Sequence, residues 1–120
     1  MIRLWGTLIL LLGMATALTA ADISGTWTAS FDTQVGQQTY TYTFKVQGNT
    51  LTGSAKSNLG EATITNGKVN GDDVTFTENL NYQGMELQIQ YKGKIMGDEI
   101  KFTRAVIEGT NEDLVAKRAK

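Results

Sequence analysis

From Trp27 to Arg118 the chain alternates apolar and polar positions with a period of two. In Trp27-Thr-Ala-Ser-Phe31 the odd positions are apolar, and in Tyr40-Thr-Tyr-Thr-Phe-Lys-Val46 the even ones are. The pattern continues through Leu51/Gly53/Ala55, Ala62/Ile64, Val74/Phe76/Glu78/Leu80, Leu87/Ile89/Tyr91/Gly93/Ile95, Ile100/Phe102/Arg104/Val106 and Leu114/Ala116/Arg118. Successive side chains of a strand point to opposite faces, so this alternation predicts half-buried strands with one wet face. Eight are expected, over about 24–32, 38–46, 49–57, 61–69, 72–80, 85–95, 98–107 and 112–119. The last segment also reads as a capped helix, with acidic residues first and basic residues last. A meander that closes favours a strand there, because the final strand must cover the edge of the first.

Three turns share one template: Val46-Gln-Gly-Asn49, Val69-Asn-Gly-Asp72 and Ile95-Met-Gly-Asp98. Residue-plus-glycine pairs of this kind mark two-residue hairpins. With Gln47-Gly48, Asn70-Gly71 and Met96-Gly97 as the turns, Val46 faces Asn49, Phe44 faces Leu51, and Tyr91 faces Phe102. Val69 and Ile64 have opposite parity, so a β-bulge is expected at Asn66-Gly67. In an up-and-down meander all three tight turns fall at one end. The other connections, 33–37, 58–60, 81–84 and 108–111, read as longer and gather at the opposite end. One end is then pinched and the other open, and barrel sites favour such a mouth.

The first 21 residues have a different pattern. Arg3 precedes the apolar run Leu4–Leu12, and Ala15, Ala17, Ala20 and Ala21 supply small residues. This predicts a secretory signal peptide over 1–21, cleaved near Ala20 or Ala21, and a single domain over 22–120. A retained membrane anchor is the alternative, but the run is short for a span. Removing residues 1–21 costs one basic residue, so 11 − 1 = 10 Lys and Arg face 12 Asp and Glu, a net charge of −2. That balance argues against nucleic acid as a partner and gives no reason to expect an anionic membrane surface, and no stable membrane anchor is expected.

The chain contains 0 Cys and 0 His. It therefore gains no disulfide, carries no lipid on cysteine, and lacks the side chains for Ser-His-Asp or Cys-His catalysis, His-ligated haem and the usual zinc sites. No cofactor and no metal site are expected. With no glycosylation sequon, a bacterial protein released to the periplasm or the medium is the expected source.

Ile23-Ser-Gly-Thr-Trp27 resembles the Gly-x-Trp start of the calycin group of small β-barrels, which includes lipocalins, avidins and bacterial metalloprotease inhibitors. Leu51-Thr-Gly-Ser54, followed by Gly60, is similar to an avidin stretch. Arg118, or Lys117, matches the basic residue on the last strand that covers the Trp ring in that group. The resemblance implies an all-β fold, an eight-stranded antiparallel up-and-down barrel, with Trp27 and Arg118 as structural partners at the pinched end. The chain departs from avidins in keeping only Trp27 beyond the leader, from lipocalins in lacking their Thr-Asp-Tyr motif, and from the inhibitors in lacking cysteine. Function is therefore argued from the residues.

Glu78 and Arg104 interrupt the inward apolar pattern. A charge inside a barrel is expensive unless it is paired or wet. They are read either as a polar pocket, with Arg104 holding an acidic ligand and Glu78 a donor group, or as a salt bridge near the strand ends. Tyr40, Tyr42 and Tyr91, with Phe76 and Phe102, line the same face as a ligand wall or as plain core. Tyr82 and Met85 flank a surface loop and are candidate anchors for a protein partner. Glu78 and Glu86 have opposite parity, so they do not form a carboxylate pair for glycoside hydrolysis, and no catalytic residue is assigned. The expected function is an exported, non-catalytic small barrel that binds a small molecule or a protein partner through its open end. An envelope protein inhibitor with a filled core, or a small hydrolase, is the alternative.

Overall fold

Alternation decides which residues go inside, and the computed structural model describes residues 22–33, 36–107 and 110–119. The expected signal peptide lies outside these. Eight strands follow in order: β1 (Gly25–Thr33), β2 (Gly36–Gln47), β3 (Thr50–Ser57), β4 (Gly60–Asn70), β5 (Asp73–Tyr82), β6 (Met85–Met96), β7 (Glu99–Ile107) and β8 (Thr110–Arg118). Each pairs antiparallel with the next, and β8 returns to β1, closing an up-and-down barrel. The C-terminal segment is a strand, as closure requires. The joint between β1 and β8 is short: Trp27 pairs with Arg118 and Thr28 with Lys117. The Ala119 N–H adds a bond to the Thr26 carbonyl at 2.9 Å.

The inward faces are those expected from the alternation. Trp27, Ala29 and Phe31 of β1 are buried, as are Tyr40, Tyr42 and Phe44 of β2 and Ile100 and Phe102 of β7. In β4 the buried set switches from Ala62 and Ile64 to Gly67 and Val69. The switch falls at a register break between Thr65 and Lys68, where Asn66 adopts φ 54°. This is the bulge required by the parity change.

The hairpin register differs from the sequence expectation. Val46 pairs with Leu51 and Phe44 with Gly53. Tyr91 pairs with Arg104 and Gly93 with Phe102. The turns sit one residue later, at Gly48-Asn49, Gly71-Asp72 and Gly97-Asp98. The reason is the position of the left-handed residue. Gly48, Gly71 and Gly97 have φ of 61°, 58° and 67°, while the Asn or Asp that follows has negative φ. Glycine first is the type II′ arrangement, not the residue-then-glycine type I′. Partners thus slip by two, and an even slip leaves every side chain on its expected face. The new register seats the Phe102 ring directly over Gly93, where a Cβ would strike the ring.

The longer connections expected at the other end are also corrected. Asn58-Leu59 and Gln83-Gly84 are two-residue turns as well. Gln83 and Gly84 both adopt positive φ, at 53° and 81°, which closes a tight type I′ hairpin. The centres of the remaining two connections lie outside the described residues. Strand ends and side chains, more than long loops, therefore shape this end.

Candidate functional site at the open end

The pinched end is sealed. Ile23 is 1% exposed and its carbonyl accepts the Trp27 indole N–H at 2.9 Å. The Arg118 guanidinium lies 4.5 Å from the Trp27 ring centroid. Its Nη1 donates to the Ser24 carbonyl at 3.2 Å and its Nε lies 3.4 Å from Asp98 Oδ1. This floor has the Trp27–Arg118 pairing that the calycin resemblance implied.

The other half of the interior is polar at its centre. Inward positions of β5, β7 and β8 place Glu78, Arg104 and Glu112 at one level, and Arg104 and Glu112 are direct cross-strand partners. Glu78 is 0% exposed and Arg104 3%. Glu78 Oε1 accepts the Tyr91 hydroxyl at 2.7 Å, and Oε2 accepts that of Tyr40 at 2.9 Å. Arg104 Nη1 donates to the Tyr91 hydroxyl oxygen at 2.8 Å and stands 3.7 Å from Glu78 Oε1. Tyr91 spends its one proton on Glu78, so the 2.9 Å contact between the Tyr42 and Tyr91 hydroxyls has Tyr42 as donor. The relay Tyr42 to Tyr91 to Glu78 leaves the Tyr91 oxygen fully satisfied. On the other side, Arg104 Nε lies 3.0 Å from Glu112 Oε1. The approach is off the N–H axis, so it is a charge contact without hydrogen-bond alignment. The guanidinium carbon sits 5.1 to 5.4 Å from the rings of Tyr40, Phe31 and Tyr91, within cation–π range.

Burial sets the electrostatics. It raises the Glu78 carboxyl above its ordinary value, against the opposing pull of the Tyr91 hydrogen bond and the Arg104 charge. Burial also pushes Tyr40 up to about 12, with Glu78 adding to the effect. Tyr42 and Tyr91 are raised by burial too, so all three phenols are neutral donors. Desolvation works against the Arg104 charge, but Tyr91, Tyr40 and Glu78 outweigh it and hold the guanidinium protonated.

Above Arg104 a cavity of about 180 Å³ opens toward the rim. Its walls are mainly apolar, with Leu80, Leu87, Ile89 and Val106 facing Arg104, Glu112 and Gln38. Gln38 is 4% exposed, and its Oε1 has no hydrogen-bond partner. Buried amide oxygens are nearly always paired. Half-buried Tyr82 and the 60% exposed Met85 stand at the rim and also line the cavity.

The structure therefore sorts the sequence candidates. Glu78 and Arg104 come together as a buried pair. Of the proposed ligand residues, Arg104 reaches the cavity, while Glu78, Tyr40, Tyr42 and Tyr91 hold it from beneath. Tyr82 and Met85 belong to the same mouth. Sequence reasoning missed Gln38 and Glu112. Both signals were present: Gln38 shares the even parity of Tyr40 and Tyr42, and Glu112 that of Leu114 and Arg118.

A larger outward cleft of about 910 Å³ runs along the β1–β8 seam past Thr28, Ser30, Lys101, Asp113 and Lys117. Among the described residues, none of the buried polar atoms without a hydrogen-bond partner lies in it. Among the described residues, no group of three or more His, Cys, Asp or Glu could hold a metal ion, and no helix is long and apolar enough to cross a membrane. Comparison with protein-family models, curated proteins and solved structures finds no match.

Proposed function

We propose that this is an exported, non-catalytic calycin-type barrel that binds a small molecule in the cavity at its open end. The observation that carries the reading is the cavity itself: apolar walls over a fixed polar floor, with a buried amide oxygen left to be satisfied. A few placed polar groups in an apolar hollow are the usual composition of a ligand site. The Tyr40–Tyr91–Glu78 scaffold supports the reading because it locks Arg104 in place before any ligand arrives, which reduces the ordering cost of binding. Volume bounds the occupant. An apolar cavity of ~150 Å³ admits benzene, so about 180 Å³ takes one ring with a short substituent, and anything larger projects past Met85. The leader-like residues 1–21 support export.

The test is a titration of the full-length protein with benzyl alcohol, followed by isothermal calorimetry and by native mass spectrometry. Saturable 1:1 binding is expected. Leu87→Trp, which fills the cavity from its half-buried wall, should abolish binding while the circular dichroism spectrum is retained. Binding that persists in Leu87→Trp, or no binding at millimolar probe, overturns the proposal.

A further inference from the structure

The chemistry of the cavity narrows its occupant further, an argument that rests on the binding reading above. Arg104 invites an acidic ligand by itself, but its charge is already committed. Glu78 approaches within 3.7 Å and Glu112 within 3.0 Å. With both carboxylates ionised the cluster carries +1 − 2 = −1, and with Glu78 protonated it carries +1 − 1 = 0. Neither state leaves positive charge over for an anion, whose burial would then go uncompensated. The rim has the same bias: Asp32, Glu61 and Glu86 are exposed near the strand ends, with Lys56 opposing them. Independently of charge, Gln38 Oε1 in the wall is an acceptor with no hydrogen-bond partner, whereas the donor there without an aligned hydrogen bond, Arg104 Nε, already faces Glu112 Oε1 at 3.0 Å. The Gln38 oxygen can be satisfied only by a donor.

We infer that the cavity takes a small, largely apolar molecule whose polar end donates hydrogen bonds, a primary amine above all, and that it discriminates against carboxylates. The amine's N–H groups meet Gln38 Oε1, and the Glu78–Arg104–Glu112 cluster, net −1 with both carboxylates ionised, supplies the countercharge through Glu112 on the cavity side. The ring or short alkyl group lies against Leu80, Leu87 and Ile89. Arg104 takes no direct part in this recognition. It keeps two acidic side chains inside the barrel and holds Glu112 facing the cavity, as a positioning residue.

Four probes of one size separate the terms: benzylamine, benzyl alcohol, toluene and benzoate, titrated at pH 7 into the full-length protein. Benzylamine should bind about tenfold or more tighter than benzoate, as one charge-assisted hydrogen bond warrants. Benzyl alcohol should fall between them and above toluene. Gln38→Leu should erase the advantage of the alcohol over toluene, and Gln38→Met gives the same reading should the leucine variant lose its fold. Glu112→Gln should reduce the preference for the amine over the alcohol. Benzoate binding as tightly as benzylamine overturns this inference and leaves the binding function standing. If none of the four probes binds, the binding function falls and this inference with it.

Discussion

The two inward-facing arginines of this barrel, one at each end, solve different problems. Arg118 lies over Trp27 with its side chain 35% exposed, and shares its charge among a carbonyl, an exposed aspartate and water. It covers an apolar floor, and the floor would survive without it. Arg104 is held inside at 3% exposure by Glu78, Glu112 and three aromatic rings. Apolar residues of similar volume often replace such a buried cluster at no loss of stability. The floor is thus built for closure, while the centre retains an electrostatic device that closure does not need. That difference is why the proposed binding site is placed in the open half.

The largest effect should come from stripping the central cation. Arg104→Met leaves Glu78 and Glu112 buried together, and the unfolding free energy in urea should drop by about 3–5 kcal/mol, the usual cost of orphaning a buried charge. A drop under about 1 kcal/mol would erase the contrast between the two arginines. Next in size is Glu78→Gln, which leaves Arg104 its contact with Glu112 and should cost about 1–3 kcal/mol near neutrality. It should also change the pH dependence. Burial lifts the Glu78 carboxyl above 4.5 in the folded chain, so between 4.5 and that raised value the folded state binds the extra proton. Its contribution to stability therefore declines as pH climbs through that interval. Urea midpoints measured from pH 4 upward should show this decline in the parent and a flatter profile in Glu78→Gln. A parent that gains stability on Glu78 ionisation would reverse the sign. Arg118→Met should cost only about 0.5–1 kcal/mol, the scale of an exposed cation–π contact. The smallest change is expected for Gln38→Leu, within about 1 kcal/mol of the parent, since it removes an acceptor with no partner to lose.

Much of the barrel was legible because its information is local. A period of two needs only neighbours, and it placed the buried apolar residues from Trp27 to Phe102 on the correct face, while Thr77, buried on the opposite face, escaped it. The bulge at Asn66 was legible for the same reason, as a break in parity between Ile64 and Val69. Register was not. Moving a turn from Gln47-Gly48 to Gly48-Asn49 shifts partners by two and leaves the hydrophobic pattern unchanged, so the pattern could not choose. The choice lay in whether glycine takes the first or second turn position, a backbone preference the pattern does not encode. The site was legible in its unusual residues, Glu78 and Arg104, but not in its balance. The commitment of Arg104 depends on Glu112 standing directly across from it on β8. That pairing follows from register and from the strand identity of a segment that also read as a helix. Gln38 was overlooked because an amide beside a run of tyrosines looks like a strand end, and only the cavity beside it gives its oxygen significance.

The Ala119–Thr26 hydrogen bond brings the two ends of the described barrel side by side beneath Trp27. Whatever is joined to either end, a tag, a linker or a bead, hangs from the underside and leaves the cup upright and unobstructed. The same adjacency makes the barrel a natural subject for circular permutation. A short bridge from Ala119 to Asp22, with new ends cut at Gly71-Asp72, would move both termini without touching a residue that lines the cavity.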